Sequence, residues 1–231
     1  MRKTASNLMG LNVVFVVSLV ISNVITGRLF ATGLVIFDVP VALPGALFCY
    51  AITYLATDVI GEIWGRQEAN RTVRWGFAGQ ILASALIFVT QFIPAADPAM
   101  DAAYDKLLGL NWVFVTASLA AYLASQSWDV YVFHRLRDAA LRRHGASYRG
   151  QGRWLWNNVS TMTSQVLDTV LFIGIAFGLG FGWFFKPEMW PALAAMMLGQ
   201  YVFKFAVALL DTPVFYLLTR RTGGETPEAG L

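Results

Sequence analysis

The chain has 231 residues, 57% of them apolar and only 13% charged, against roughly 45–50% apolar and 25% charged in an ordinary soluble domain. A soluble fold of this length could not hide so much apolar surface from water, so the composition calls for a bilayer, at about 20 apolar residues per crossing helix. The net charge of +3 comes from basic residues in short connections between apolar runs, which sets nucleic acid aside as a partner, and the single cysteine, Cys49, excludes an intrachain disulfide.

Six apolar runs follow in chain order: Leu8 to about Thr26, Pro44 to Ile63, Trp75 to Ile93, Trp112 to Phe133, Ser160 to Phe185, and Trp190 to Leu218. Breakers separate them, at Pro40 and Pro44, Pro94 and Pro98, Gly150 and Gly152, and Lys186-Pro187. The first run follows Arg2-Lys3 as a secretory signal would. It is long, however, carries Asn12 and Asn23, and ends in Thr26-Gly27-Arg28 with no Ala-x-Ala pattern, so it reads as a span. The fold class expected is all-α: a polytopic membrane protein with one six-helix domain over residues 1–221 and a disordered cytoplasmic tail over 222–231.

Orientation follows from Lys and Arg. Of the seventeen in the chain, thirteen fall on one side: at the N-terminus, after the second span (Arg66, Arg71, Arg74), after the fourth (Arg135 to Arg153), and in Arg220-Arg221. Arg28, Lys106 and Lys186 fall on the other, and Lys204 lies within a span. The positive-inside rule then puts both termini in the cytoplasm, which an even number of spans also requires.

An ionisable side chain at the centre of a span costs on the order of 2.5–3.5 kcal/mol on insertion scales, so each needs a reason. The fourth span carries Tyr122, Gln126, Asp129 and Phe133, the fifth Asn158, Thr161, Gln165, Asp168 and Phe172, and the sixth Gln200, Lys204, Asp211 and Phe215. Steps of three and four place each set on one helix face. Such stripes should converge on a wet or ligand-filled interior. The fourth and fifth also share Ser-Gln-x-x-Asp-x-x-x-Phe, at Ser125 to Phe133 and Ser164 to Phe172, with a shorter echo at Asp211-Thr212-Pro213-Val214-Phe215. Internal repeats are common in transporter folds, although consecutive antiparallel spans would run the two copies in opposite directions.

The candidate substrate-binding residues are therefore Gln126, Asp129, Asn158, Gln165, Asp168 and Lys204. Lys204 has two readings, an ion pair with an aspartate of a neighbouring helix or a donor to a ligand carbonyl. Asp58 and Glu62, one turn apart at the end of the second span, read either as an interfacial helix end bridged to Arg66, Arg71 or Arg74, or with Asp211 as gating or coupling groups. Gly174-x-x-x-Gly178 reads as a close-packing notch, and His134 and His144 as solvated. No nucleophile–base arrangement and no His-Glu-x-x-His occurs, so neither an enzyme nor a metal or cofactor is expected.

These motifs resemble the queuosine precursor transporter family, also called the vitamin uptake transporter family. The resemblance rests on Thr57-Asp58-Val59-Ile60-Gly61-Glu62-Ile63-Trp64-Gly65, Ser125-Gln126-x-x-Asp129-Val130, Asn157-Asn158-x-Ser160-Thr161-x-x-Ser164-Gln165-x-x-Asp168-Thr169, and Lys204 with Asp211-Thr212-Pro213. It implies a bacterial inner-membrane protein of six helices that imports the 7-deazaguanine bases 7-cyano-7-deazaguanine and its aminomethyl relative for tRNA modification. Gly61 departs from the Asn-Glu that many members carry, but Asp58 and Glu62 are intact. The alternative is a substrate-capturing subunit for a vitamin or nucleobase that depends on an ATP-driven partner, because the chain itself has no Gly-x-x-x-x-Gly-Lys-[Ser/Thr] loop. The expected partners are the small-molecule base and the lipid bilayer, with homo-oligomer formation left open.

Overall fold

The computed structural model describes residues 1–36, 38–144 and 153–219, the side chains of 144, 153–157, 208–212 and 216 excepted. Helix α1 spans Ala5–Ile25, and its N-cap Thr4 hydroxyl accepts from the Asn7 N–H at 3.2 Å, satisfying one of the donors a helix start leaves free. Where the sequence reading expects only a connection, two antiparallel strands follow, β1 (Leu29–Ile36) and β2 (Val39–Pro44), with Leu29 opposite Pro44 and Ile36 opposite Val39.

The all-α expectation holds for most of the chain, and this hairpin is the exception to it. Pro40 and Pro44 bar a helix, the Val- and Ile-rich flanks suit extended backbone, and Asp38 turns the chain at φ 59°. The register slips between Ala31 and Val35. At that gap the Thr32 hydroxyl donates to the Val41 carbonyl at 2.9 Å, so a side chain supplies what the broken ladder omits.

Helices α2 (Ala46–Trp64) and α3 (Arg66–Thr90) are joined only by Gly65, whose φ of 95° is the left-handed conformation a side chain would resist. Helix α3 begins well before Trp75, because Arg66, Glu68 and Arg71 are competent helix formers and Glu68 pairs with Arg71 one turn on at 3.7 Å. Hydropathy marks only the part of a helix that lipid can take. A short amphipathic helix, α4 (Pro98–Leu108), stands where the sequence reading expects only a connection. Asp97 caps it by accepting from the Ala99 N–H at 2.9 Å, and Pro98 opens it.

Helix α5 (Asn111–His144) has 34 residues, about 51 Å at 1.5 Å per residue. It far exceeds the hydrocarbon thickness, so Arg135, Arg137, Arg142 and Arg143 ride on helix rather than in a loop. Helix α6 (Arg153–Ile173) passes into a π-helical turn at Gly174–Leu179 and two 3-10 turns, Trp183–Phe185 and Pro187–Met189. The fifth span thus ends short of the expected Phe185. The glycine notch is real, but its occupant is local: a Cβ on Gly178 would stand 2.3 Å from the ring of Phe184.

Helix α7 spans Trp190–Thr219. Among the described residues five helical segments are long and apolar enough to cross a membrane: α1, α2, α3, the run Pro98–Arg143 that takes in α4 and most of α5, and α6 with its π turn. The sixth expected span coincides with α7, part of whose side chains lie outside the described residues.

The largest apolar cluster gathers at the hairpin end. Val41 and Leu43 of β2 join Phe114, Phe172, Phe177 and Met196 there, all of them buried. Phe177 stacks on Phe181 with ring centres 5.3 Å apart and lies 5.7 Å from Trp183 and 6.1 Å from Phe114. The hairpin sits on α7 where that helix lacks a side chain, since a Cβ on Gly199 would come within 2.6 Å of Val41 Cγ1. The tail at 222–231 and Arg149, Arg220 and Arg221 lie outside the described residues.

Candidate functional site

Helices α5 and α6 pack antiparallel along their lengths. Ser125 Oγ lies 3.4 Å from Asp168 Oδ1, and Trp128 Nε1 donates to Thr163 Oγ1 at 3.2 Å. With α2 they line a half-open cavity of about 190 Å³, compact beside the usual range of roughly 300–1,000 Å³ for ligand pockets. Tyr122, Ser125, Gln126 and Asp129 line it from α5, Thr161, Ser164, Gln165 and Asp168 from α6, and Tyr54 from α2. The three identical positions of each Ser-Gln-x-x-Asp copy therefore face the same space. The polar stripes converge as their spacing requires.

The two carboxylates differ. Asp168 Oδ2 accepts from Lys204 Nζ at 2.6 Å, and the same ammonium donates to Thr169 Oγ1 at 3.2 Å. Asp168 and Lys204 are 21% and 10% exposed, so the pair is largely sheltered and ties α6 to α7. Asp129 has no ion-pair partner among the described residues, and its Oδ1 is buried with no hydrogen bond. Tyr122 is braced by Phe77, ring centres 4.7 Å apart and edge to face.

Of the six residues expected to bind substrate, Gln126, Asp129, Gln165 and Asp168 line the cavity. Lys204 reaches it through Asp168 as an interhelical ion pair, the first of its two readings. Asn158 is half-buried on α6, one turn before Thr161, and is not in the lining. Asp58 and Glu62 are exposed on α2, one and two turns beyond Tyr54. Glu62 makes no ion pair with Arg66, Arg71 or Arg74 among the described residues; Arg71 pairs with Glu68 instead. The side chain of Asp211 lies outside the described residues. His134 is exposed, against the edge of Phe133.

Tyr54 is the lining residue that sequence reasoning missed. Its signal was Tyr50, Tyr54 and Asp58 recurring every fourth position, one face of α2. Ser125, Thr161 and Ser164 were visible in the stripes and the repeat without being singled out.

The family model described as "Putative vitamin uptake transporter" matches residues 44–218, from the last residue of β2 through α7. This chain belongs to the vitamin uptake transporter family. A relative in Bacillus subtilis (strain 168), named "Probable queuosine precursor transporter", is 34% identical over 171 residues, covering 72% of this chain and 67% of its own. Another in Escherichia coli (strain K12), named "Queuosine precursor transporter", is 29% identical over 174 residues, covering 74% of this chain and 67% of its own. No solved structure matches. As a member of the vitamin uptake transporter family with five apolar helical segments of spanning length among the described residues, the chain is a multi-pass membrane protein of a transporter class. Its cavity lies within the matched region.

Proposed function

We propose that this chain imports queuosine precursors, the 7-deazaguanine bases 7-cyano-7-deazaguanine and its aminomethyl relative, across the bacterial inner membrane. It does so with six spanning helices and both termini cytoplasmic, α7 being the sixth span at about 45 Å. The names of two relatives support the cargo. The concentration of arginine at the start of α3 and the end of α5 supports the orientation.

One observation carries the reading: Gln126 and Asp129 of α5 meet Gln165 and Asp168 of α6 around a single cavity. A guanine-like base presents adjacent N–H groups, a carbonyl and a flat apolar face. A carboxylate accepts the first, an amide donates to the second, and the rings of Tyr54 and Tyr122 suit the third. In this reading Asn158 contributes at the margin, Lys204 positions the polar end of the site, and Asp58, Glu62 and Asp211 serve gating or coupling.

Purified protein reconstituted into liposomes tests the proposal directly. Saturable uptake of labelled base with no added ATPase is the expected result. Binding without uptake would favour a capturing subunit that depends on an ATP-driven partner, and failure to bind either base would remove the cargo. Uptake that ignored an imposed proton gradient would assign transport to facilitated diffusion instead of the carboxylates.

A further inference from the structure

The two Ser-Gln-x-x-Asp copies look interchangeable in the sequence, but the structure gives them different surroundings. Asp168 is already answered within the protein. Lys204 neutralises it at 2.6 Å, and the Ser125 hydroxyl approaches its other oxygen at 3.4 Å. A ligand could take a remaining lone pair on it, but it would find little unbalanced charge there. Asp129 is in the opposite condition. It lines the same cavity, no described cation pairs with it, and one of its oxygens is buried and unbonded. A buried acceptor left this way is costly, and in a cavity it specifies what should fill the space: a donor.

We infer that the two copies divide the work, Asp129 reading the paired N–H edge of the cargo while Asp168 holds Lys204 and thereby positions α7 against α6. The inference rests on the cargo reading above. It adds the chemical class of group that sets specificity, an amidine-like edge with two adjacent N–H donors, and the residue that recognises it. The geometry around Asp129 fits that edge. Gln126 lies one turn away on the same helix face, with both a donor and an acceptor to offer, and Tyr122, braced by Phe77, adds a ring to the lining one turn further back. An asparagine at position 129 would keep the shape and exchange one acceptor for a donor, setting N–H against N–H. Asp168 acts through Lys204 and is a positioning residue.

Two ligands and four forms of the full chain decide the matter. The ligands are 7-cyano-7-deazaguanine and the matched analogue lacking the exocyclic 2-amino group. The proteins are wild type, Asp129→Asn, Asp129→Ser and the double variant Asp168→Asn/Lys204→Gln, each checked for monodispersity in detergent and measured by equilibrium binding. Wild type should prefer the amino-bearing base by tenfold or more. Both Asp129 variants should bind the two ligands equally, having lost tenfold or more for the first and little for the second. The double variant, altered in the lining itself, should bind both ligands more weakly by a similar factor, so that the ratio between them stays. Retention of the preference in monodisperse Asp129→Asn or Asp129→Ser overturns the inference, as does its loss in the double variant with Asp129 intact. If wild type binds neither ligand, the cargo reading falls and this inference with it, a result that no variant could mimic.

Discussion

The two ends of the helix bundle solve opposite problems. Toward the hairpin, Phe114, Phe172, Phe177 and Met196 close around Val41 and Leu43, and aromatic rings fill the space that glycines leave. On the far side of Phe172, a single helical turn away at Asp168, the interior becomes acids, amides and hydroxyls around open volume. Lipid offers helices little hydrophobic reason to associate, so shape and polar contacts must hold them. The sealed end uses shape. Among the described residues the cavity end uses one interhelical ion pair and tolerates an unmatched carboxylate, which under the proposed function is kept for a visitor.

Substitutions can break this contrast or sharpen it. Lys204→Met strands Asp168 without its cation, and removing one partner of a sheltered pair costs about 3–5 kcal/mol. Thermal melting in detergent should fall sharply, and adding Asp168→Asn should recover much of the loss; an unchanged melting temperature in the single variant would show that the pair holds nothing together. Phe177→Ala should come next, below the roughly 3–5 kcal/mol typical of a water-soluble core, because in lipid only lost packing and the hole left behind count. Its loss should leave ligand affinity within a few-fold, because the ring belongs to the sealed end; a large fall in affinity would merge the two regions. Smallest is Gly199→Val, where overpacking against Val41 should cost about 1–3 kcal/mol. Accelerated proteolysis within β1 and β2 would register the displaced hairpin, and unaltered cleavage would deny that Gly199 seats it.

Much of the cavity was legible because polarity at membrane depth is expensive. Gln126, Asp129, Gln165 and Asp168 are spaced to share a helix face, and a chain under that cost keeps such groups together. The partner of Lys204 was not legible. An ion pair between α6 and α7 depends on how two helices meet, and no periodicity within either helix encodes that. Tyr54 was overlooked because a tyrosine in an apolar run is unremarkable until its i+4 neighbours are considered. The hairpin escaped for a different reason. Leu29 to Ile36 is apolar on both faces with a glycine inside it, so it lacks the alternation that marks a half-buried strand, and its prolines read only as punctuation. Helix α4 carried its signal openly in Asp97-Pro98, yet its eleven residues were too short and too polar to register in a search for spans.

Helix α7 touches both worlds within a short stretch. Gly199 bears the hairpin, and Lys204, about 7.5 Å further along the axis and some 140° around it, grips Asp168. The helix is thus held from two roughly opposing sides little more than one turn apart, like an axle between two staggered brake shoes. A twist large enough to pull the ammonium from its acid would also grind the backbone at Gly199 against Val41. The seal and the cavity thus share a single helix.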